Sequence, residues 1–452
     1  MSTFKSINPY NNELLEEFEL HTPSEIDYIL QSADISQNHW QKTSAEHRSD
    51  IFKHASDLLA ARKEHLALTI TREMGKPIKQ ARAEIDKCAW LCRYYASEGA
   101  RFLEDQPVGS SARHSFIRHA PLGTILGVMP WNYPFWQVFR FAVPTLMAGN
   151  GVVVKHAPNV LRCALLIEDL FLEAGIPEGL YSTIVCDVDE VENLISDPRI
   201  HGVSLTGSTS AGSAVAQLAG KSLKPSLLEL GGSNAFIITD DADLEDALET
   251  AWLARMQNTG QSCIAAKRFI VFDGVADALI DRFKTKIEEN PIMDPTEEDA
   301  FFGPLARTDL AQNLKEQLGK SVQQGARLIV GGDQENAHFQ PAVLDHVDPH
   351  SKAFKEETFG PLAAIVRVNN MSEAVEMANH SPYGLGVSVF CKDPQAHQAR
   401  IDQFKDGAVF FNEMVKSDPR LPFGGTGISG YGRELGKRGI QSFTNIKTVY
   451  IK

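Results

Sequence analysis

Residues 124–155 read TILGVMPWNYPFWQVFRFAVPTLMAGNGVVVK, and this stretch decides the fold. A β-rich run (124–128) meets a turn fixed by two prolines, Pro130-Trp131-Asn132-Tyr133-Pro134. An apolar helical stretch (135–147) follows, then a second β-rich run (151–155). Strand, crossover helix, strand is the unit of a parallel sheet. It recurs downstream, with β-rich runs at 182–185 and 202–205 between helical stretches at 161–173, 189–195 and 211–218. A second series begins at 234–239. It predicts helices over 243–257, 276–289, 308–324, 373–379 and 394–404, and strands over 268–272, 327–330, 363–368 and 386–391.

The fold expected is therefore α/β: two doubly wound, Rossmann-like units in tandem with a cleft between them. Upstream, helical periodicity covers 25–41, 45–74 and 78–99, with Thr22 or Ser24 and Ser44 as N-caps. The polar, Ser-rich segment 106–119 suits an exposed ribbon. The last stretch, 443–451, reads as a strand that completes a sheet within the chain or pairs with another subunit. This divides the chain into a dinucleotide-binding domain (1–105 and 124–228), a catalytic domain (229–425) and small β oligomerisation strands (106–123 and 426–452).

Composition narrows the function. The 452 residues are 43% hydrophobic and 23% charged, ordinary values for a globular protein. The net charge of -14 disfavours nonspecific nucleic acid or anionic membrane as partners. No signal-peptide pattern and no apolar run of ~20 residues is present. Six cysteines show neither zinc nor disulfide-framework spacing, so no metal is expected and a reducing cytoplasm fits best.

Three residues carry chemistry. Cys263 ends the stretch Asn258-Thr259-Gly260-Gln261-Ser262-Cys263, where small residues leave a thiol accessible and let N–H groups approach an oxyanion. Glu229 ends an apolar strand before Gly231 and Gly232, an environment that resists ionisation and suits a general base. Asn132, in the Pro130–Pro134 turn, presents an amide suited to a developing oxyanion. Each has a bland alternative: a loop thiol, a carboxylate satisfying loop N–H groups, a structural turn. Gly207-Ser208-Thr209-Ser210-Ala211-Gly212 is neither GxGxxG nor a Walker loop. A Gly-rich strand-to-helix turn still offers N–H groups to a pyrophosphate.

Taken together with Lys155, Glu356-Glu357-Thr358-Phe359-Gly360-Pro361 and Pro422-Phe423-Gly424-Gly425, these collinear motifs resemble the aldehyde dehydrogenase superfamily over essentially the whole chain. The resemblance implies Cys263 as nucleophile, Glu229 as general base, and Asn132 with the Cys263 N–H as oxyanion hole. It further implies Lys155 and Glu357 as ribose contacts, Phe359 as a nicotinamide contact and Ser208 as a pyrophosphate contact. Trp131, Pro158, Gly207 and Gly212 belong to the same cofactor set, and Glu434 is a proton relay. A homodimer or homotetramer is implied as well.

Two positions narrow the type. Many NAD-preferring relatives carry a Glu where this chain has Pro158, so NADP is expected to be accepted beside NAD. Arg140 matches the position at which succinate semialdehyde dehydrogenases grip a distal carboxylate. The second Arg of some members falls at Gln257, with Arg420 as a conjectural substitute. The rival for Arg140 is a structural salt bridge. With Trp136 and Phe423 lining an apolar channel, the rival substrate is a general aliphatic or aromatic aldehyde. A CoA-acylating enzyme is disfavoured by Glu229, and a non-enzymatic binding protein by the intact set of three.

Overall fold

The computed structural model describes residues 3–452. Two largely parallel sheets carry the molecule. The first has strands in the order Gly430–Tyr431, Ser226–Glu229, Ile200–Thr206, Thr124–Met129, Gly151–His156, Tyr181–Thr183. Strands two to six of that order are parallel, and Gly430–Tyr431 joins antiparallel at the edge. The chain winds outward from Thr124–Met129 to Tyr181–Thr183, then returns to the other side at Ile200–Thr206. Such reversals open a crevice at the carboxyl ends of the two strands concerned. The turns that leave them are Pro130–Pro134 and Gly207–Ser208.

The second sheet runs Arg327–Val330, Ala342–Asp345, Leu362–Val368, Ala266–Phe272, Asn234–Ile238, Val387–Phe390, Val409–Phe411. Its five inner strands are buried on both faces, as parallel strands covered by helices must be, whereas Arg327–Val330 and Val409–Phe411 at the edges are partly exposed. The chain passes from the first sheet to the second between Glu229 and Asn234. The C-terminal strand Thr444–Ile451 pairs within the chain, antiparallel to His114–Pro121, which also pairs with Gln106–Pro107.

Several expectations are corrected. The stretch 45–74 is two helices, Ala45–Ala61 and Lys63–Met74, broken at Arg62. Leu59 and Leu66 are both buried seven residues apart, so the apolar stripe continues across the break and periodicity hides it. Upstream of the first helix, where no element was expected, Thr3–Ile7 and Leu14–Glu19 form a hairpin whose Phe18 packs on Leu161 and Val185. Residues 394–404 form a 3-10 helix, Pro394–Gln403, with no buried residue to demand an α-helix. The inner strand Ala342–Asp345 and the edge strand Val409–Phe411 were not expected. Gly430–Tyr431 extends the first sheet rather than the bridging ribbon.

Thr22 caps its helix with a capping box closed by Glu25, and Ser44 caps the next. The Trp136–Met147 helix has no such residue at its start, where Phe135 stands. Glu84, from the long helix Ile78–Phe102, supplies the cap: one oxygen accepts the N–H groups of Phe135 (2.9 Å) and Trp136 (3.0 Å). Its other oxygen is ion-paired with Lys76, whose ammonium lies 3.7 Å from the centre of the Tyr133 ring. A fully buried ion pair thus fixes the turn that carries Asn132.

Candidate active site

The sequence-predicted residues gather where the two sheets meet. A pocket of about 210 Å³ lies between the Ile78–Phe102 and Trp136–Met147 helices on one side and the 257–264 and 414–423 segments on the other. Cys263, Arg140, Trp136, Gln257 and Phe423 all line it. Cys263 is partly exposed, whereas the other five cysteines are buried. Burial pushes the Cys263 thiol up, and the nearby charges of Arg140 and Lys267 pull it back toward thiolate.

The Cys263 loop is shaped by backbone that few residues tolerate. Asn258 and Thr259 adopt φ of 55° and 51°, in the left-handed region. The strain is held by tertiary bonds: Asn258 Nδ2 donates to the carbonyls of Asn132 and Gln261, each at 2.9 Å, and Thr259 Oγ1 donates to Gly303 O. Asn132 Nδ2 donates to Gln261 O at 3.1 Å, leaving its second amide hydrogen for another acceptor. Turn and cysteine loop are therefore one hydrogen-bonded unit.

Lys267, absent from the sequence reading, completes it. Its buried ammonium donates to Ser262 O (2.9 Å), Cys263 O (2.9 Å) and Glu357 Oε1 (2.8 Å). Glu357 Oε1 also accepts the Gly232 N–H at 3.0 Å, so one carboxylate spans the cysteine loop and the Glu229 loop. A Cβ on Gly231 would lie 2.3 Å from Glu357 Oε2, which is why glycine stands there. The one local signal it offers in the sequence is a cation near the start of a mostly apolar strand, Ala266–Phe272.

Glu229 is buried behind the pocket wall rather than on it. Among the described residues neither of its carboxylate oxygens has a hydrogen-bond partner. No bond has to break for the side chain to turn toward the sulfur. Burial first, and then the charge of Glu434, push its pKa well up, against Arg140 and Arg433. Glu434 is likewise raised by burial and opposed by Arg140, with which it is ion-paired.

Arg140 has both of the positions considered for it. It lines the pocket, lies 4.6 Å over the Phe423 ring, and is ion-paired through Nε with Glu434. Arg420 does not substitute for a second arginine: it is paired with Asp418 and stacked on Trp90, outside the pocket.

The sequence-predicted cofactor residues lie at the carboxyl edge of the first sheet. Lys155 is the penultimate residue of Gly151–His156 and Pro158 follows that strand, while Gly207 and Ser208 follow Ile200–Thr206. Ser208 caps the Thr209–Lys221 helix. Gly212 is placed by packing: a Cβ there would meet Leu230 at 2.4 Å. Trp131 and Phe359 meet edge to face, centroids 5.6 Å apart. Asn159, beside Pro158, holds its Oδ1 and Nδ2 shielded and without partners among the described residues. A shielded amide without partners fits a hydroxyl-bearing group.

Fold and site thus define a class: a two-sheet α/β protein with an accessible thiol at the sheet junction and a topological switch point in its first sheet. The chain belongs to the aldehyde dehydrogenase family, whose model matches residues 1–449. It is 44% identical over 448 residues to the succinate semialdehyde dehydrogenase [NAD(P)+] Sad of Escherichia coli (strain K12), covering 98% of this chain and 97% of that protein. Among solved structures it superposes on Gox0499 with a TM-score of 0.98, at 41% identity and 100% coverage of both chains. The NADP+ complex of succinic semialdehyde dehydrogenase from Streptococcus pyogenes gives a TM-score of 0.96 at 34% identity, covering 99% of each chain.

Proposed function

We propose that this protein oxidises succinate semialdehyde to the dicarboxylate with NADP or NAD, through a thioester on Cys263. One observation carries the reading: the partly exposed thiol opens into a small pocket that Arg140 also lines. The similar proteins named for this substrate support it.

The residues divide the work. Cys263 thiolate adds to the aldehyde carbonyl, and the free Asn132 amide hydrogen with the Cys263 N–H takes the resulting alkoxide. The nicotinamide dinucleotide, when bound, supplies the acceptor for the hydride. Glu229 then takes a proton from water as water attacks the thioester, and the acid leaves. Glu434 relays that proton. Lys155, Asn159, Glu357 and Ser208 hold the cofactor, with Trp131, Pro158, Gly207 and Phe359 beside it. Pro158 presents no carboxylate to repel a 2′-phosphate, which favours NADP. The unit built on the first sheet is the dinucleotide-binding domain and that built on the second the catalytic one. The ribbon of Thr444–Ile451 and His114–Pro121 joins subunits of a homo-oligomer in the cytoplasm.

A kinetic panel pairing both cofactors with succinate semialdehyde and an uncharged aldehyde of equal length tests the reading. Cys263→Ala abolishes NADPH formation. Glu229→Gln leaves a first-turnover burst but cuts steady turnover by roughly 10²–10⁴-fold. Because burial raises the Glu229 pKa, the carboxylate forms only as pH climbs above the ordinary glutamate range, so steady turnover falls on the acid side first. Equal kcat/KM for both aldehydes overturns the substrate assignment. Turnover that requires CoA overturns the hydrolytic step.

A further inference from the structure

Arg140 lines the pocket, but its charge is already balanced by Glu434. Lys76 is balanced by Glu84, and Lys416 by Glu413. Among the described residues, Lys87 is the lining cation with no carboxylate within ion-pair distance. It rises from the Ile78–Phe102 helix, places its ammonium 4.3 Å from the centre of the Trp136 ring, and donates to Ser417 Oγ at 2.7 Å. Trp136 and Arg140 are one turn apart on the facing helix, so the ammonium and the guanidinium share one region of the pocket.

We propose that Lys87 is the specificity-determining contact for the substrate's distal carboxylate: it supplies the uncompensated positive charge, while Arg140 supplies a second, already neutralised, set of donors. The inference rests on the proposed semialdehyde activity. Chemistry supports it. An ammonium with no acidic partner is costly to keep charged in a partly buried pocket, and an entering carboxylate offsets that cost. A neutral aldehyde of the same length does not. Stacking on Trp136 keeps the lysine stem ordered and the ammonium presented without an acidic partner that the substrate would have to displace.

The surroundings agree. Burial and Arg140 lower the Lys87 pKa to about 8, while Cys88 and Glu84 on its own helix and Asp418 on the facing loop act to raise it. Lys87 is charged below that value and loses its proton above it, so KM for the carboxylate substrate rises with pH through this range.

Steady-state kinetics of the intact enzyme with succinate semialdehyde and with an uncharged aldehyde of equal length tests this, alongside inhibition by succinate. Lys87→Met raises KM for the semialdehyde and Ki for succinate by roughly 10- to 100-fold, with kcat and the uncharged aldehyde little changed. Lys87→Arg restores most of the loss and removes the alkaline rise in KM. Unchanged KM in Lys87→Met, or equal losses on both aldehydes, overturns the inference. So does an equal effect from Ser417→Ala, which would make Lys87 a loop anchor. A wild-type enzyme indifferent to the carboxylate fails the underlying activity itself, an outcome visible before any variant is made.

Discussion

Gly424 has φ of +154°, and a Cβ there would lie 2.6 Å from Glu229 Oε1. Gly424→Ala therefore displaces the carboxylate without touching the thiol. Steady-state turnover falls by roughly 10²-fold while the first turnover persists, as a stopped-flow burst will register. Lys267→Met removes the charge that binds Glu357 to the cysteine loop. Stability drops by about 3 kcal/mol in urea titration, toward the low end for an orphaned ion-pair partner because Glu357 keeps some solvent contact. The same change withdraws a positive charge from Cys263, so alkylation at neutral pH slows. Cys263, Glu229 and Asn132 were legible because each sits in a contiguous motif. Lys267, Lys87 and Glu84 were not, because what they do depends on partners tens or hundreds of residues away.

At the scale of elements, the end of the Gly151–His156 strand is fastened to the Pro130–Pro134 turn by His156. Its Nδ1 accepts the Ala157 N–H at 2.8 Å and its Nε2 donates to Pro134 O at 2.9 Å. Burial lowers its pKa from 6.5 to about 4. The unfolded chain therefore binds a proton at pH 5 that the native state refuses, so this contribution to stability is whole above pH 6.5 and lost as pH falls toward 4. It amounts to about 3 kcal/mol, and His156→Asn flattens the acid limb of a thermal-midpoint profile. The longer parallel strands were legible from their β-branched apolar runs. The N-terminal hairpin and the short strands Ala342–Asp345 and Val409–Phe411 were not: the hairpin is half-exposed with no continuous apolar run, and the other two span only four and three residues, with pairing set by distant chain.

Across the whole molecule, two sheets, a reversal of strand order and a thiol at their junction place the chemistry, and that much was readable from motif order. The proposed assembly rests instead on the outer ribbon. Ile446, Tyr450 and Ile451 are exposed on Thr444–Ile451, which already has one paired edge. Removing residues 444–452 lowers the mass measured by light scattering to that of a smaller assembly or a monomer. A practical corollary follows from how the sulfurs are distributed. Five are sealed inside, where burial pushes the Cys92 thiol well up and the pKa of Cys186 and of Cys391 to about 11, and one meets solvent. Iodoacetamide will therefore consume one equivalent per folded chain, making alkylation a direct count of competent sites in any preparation.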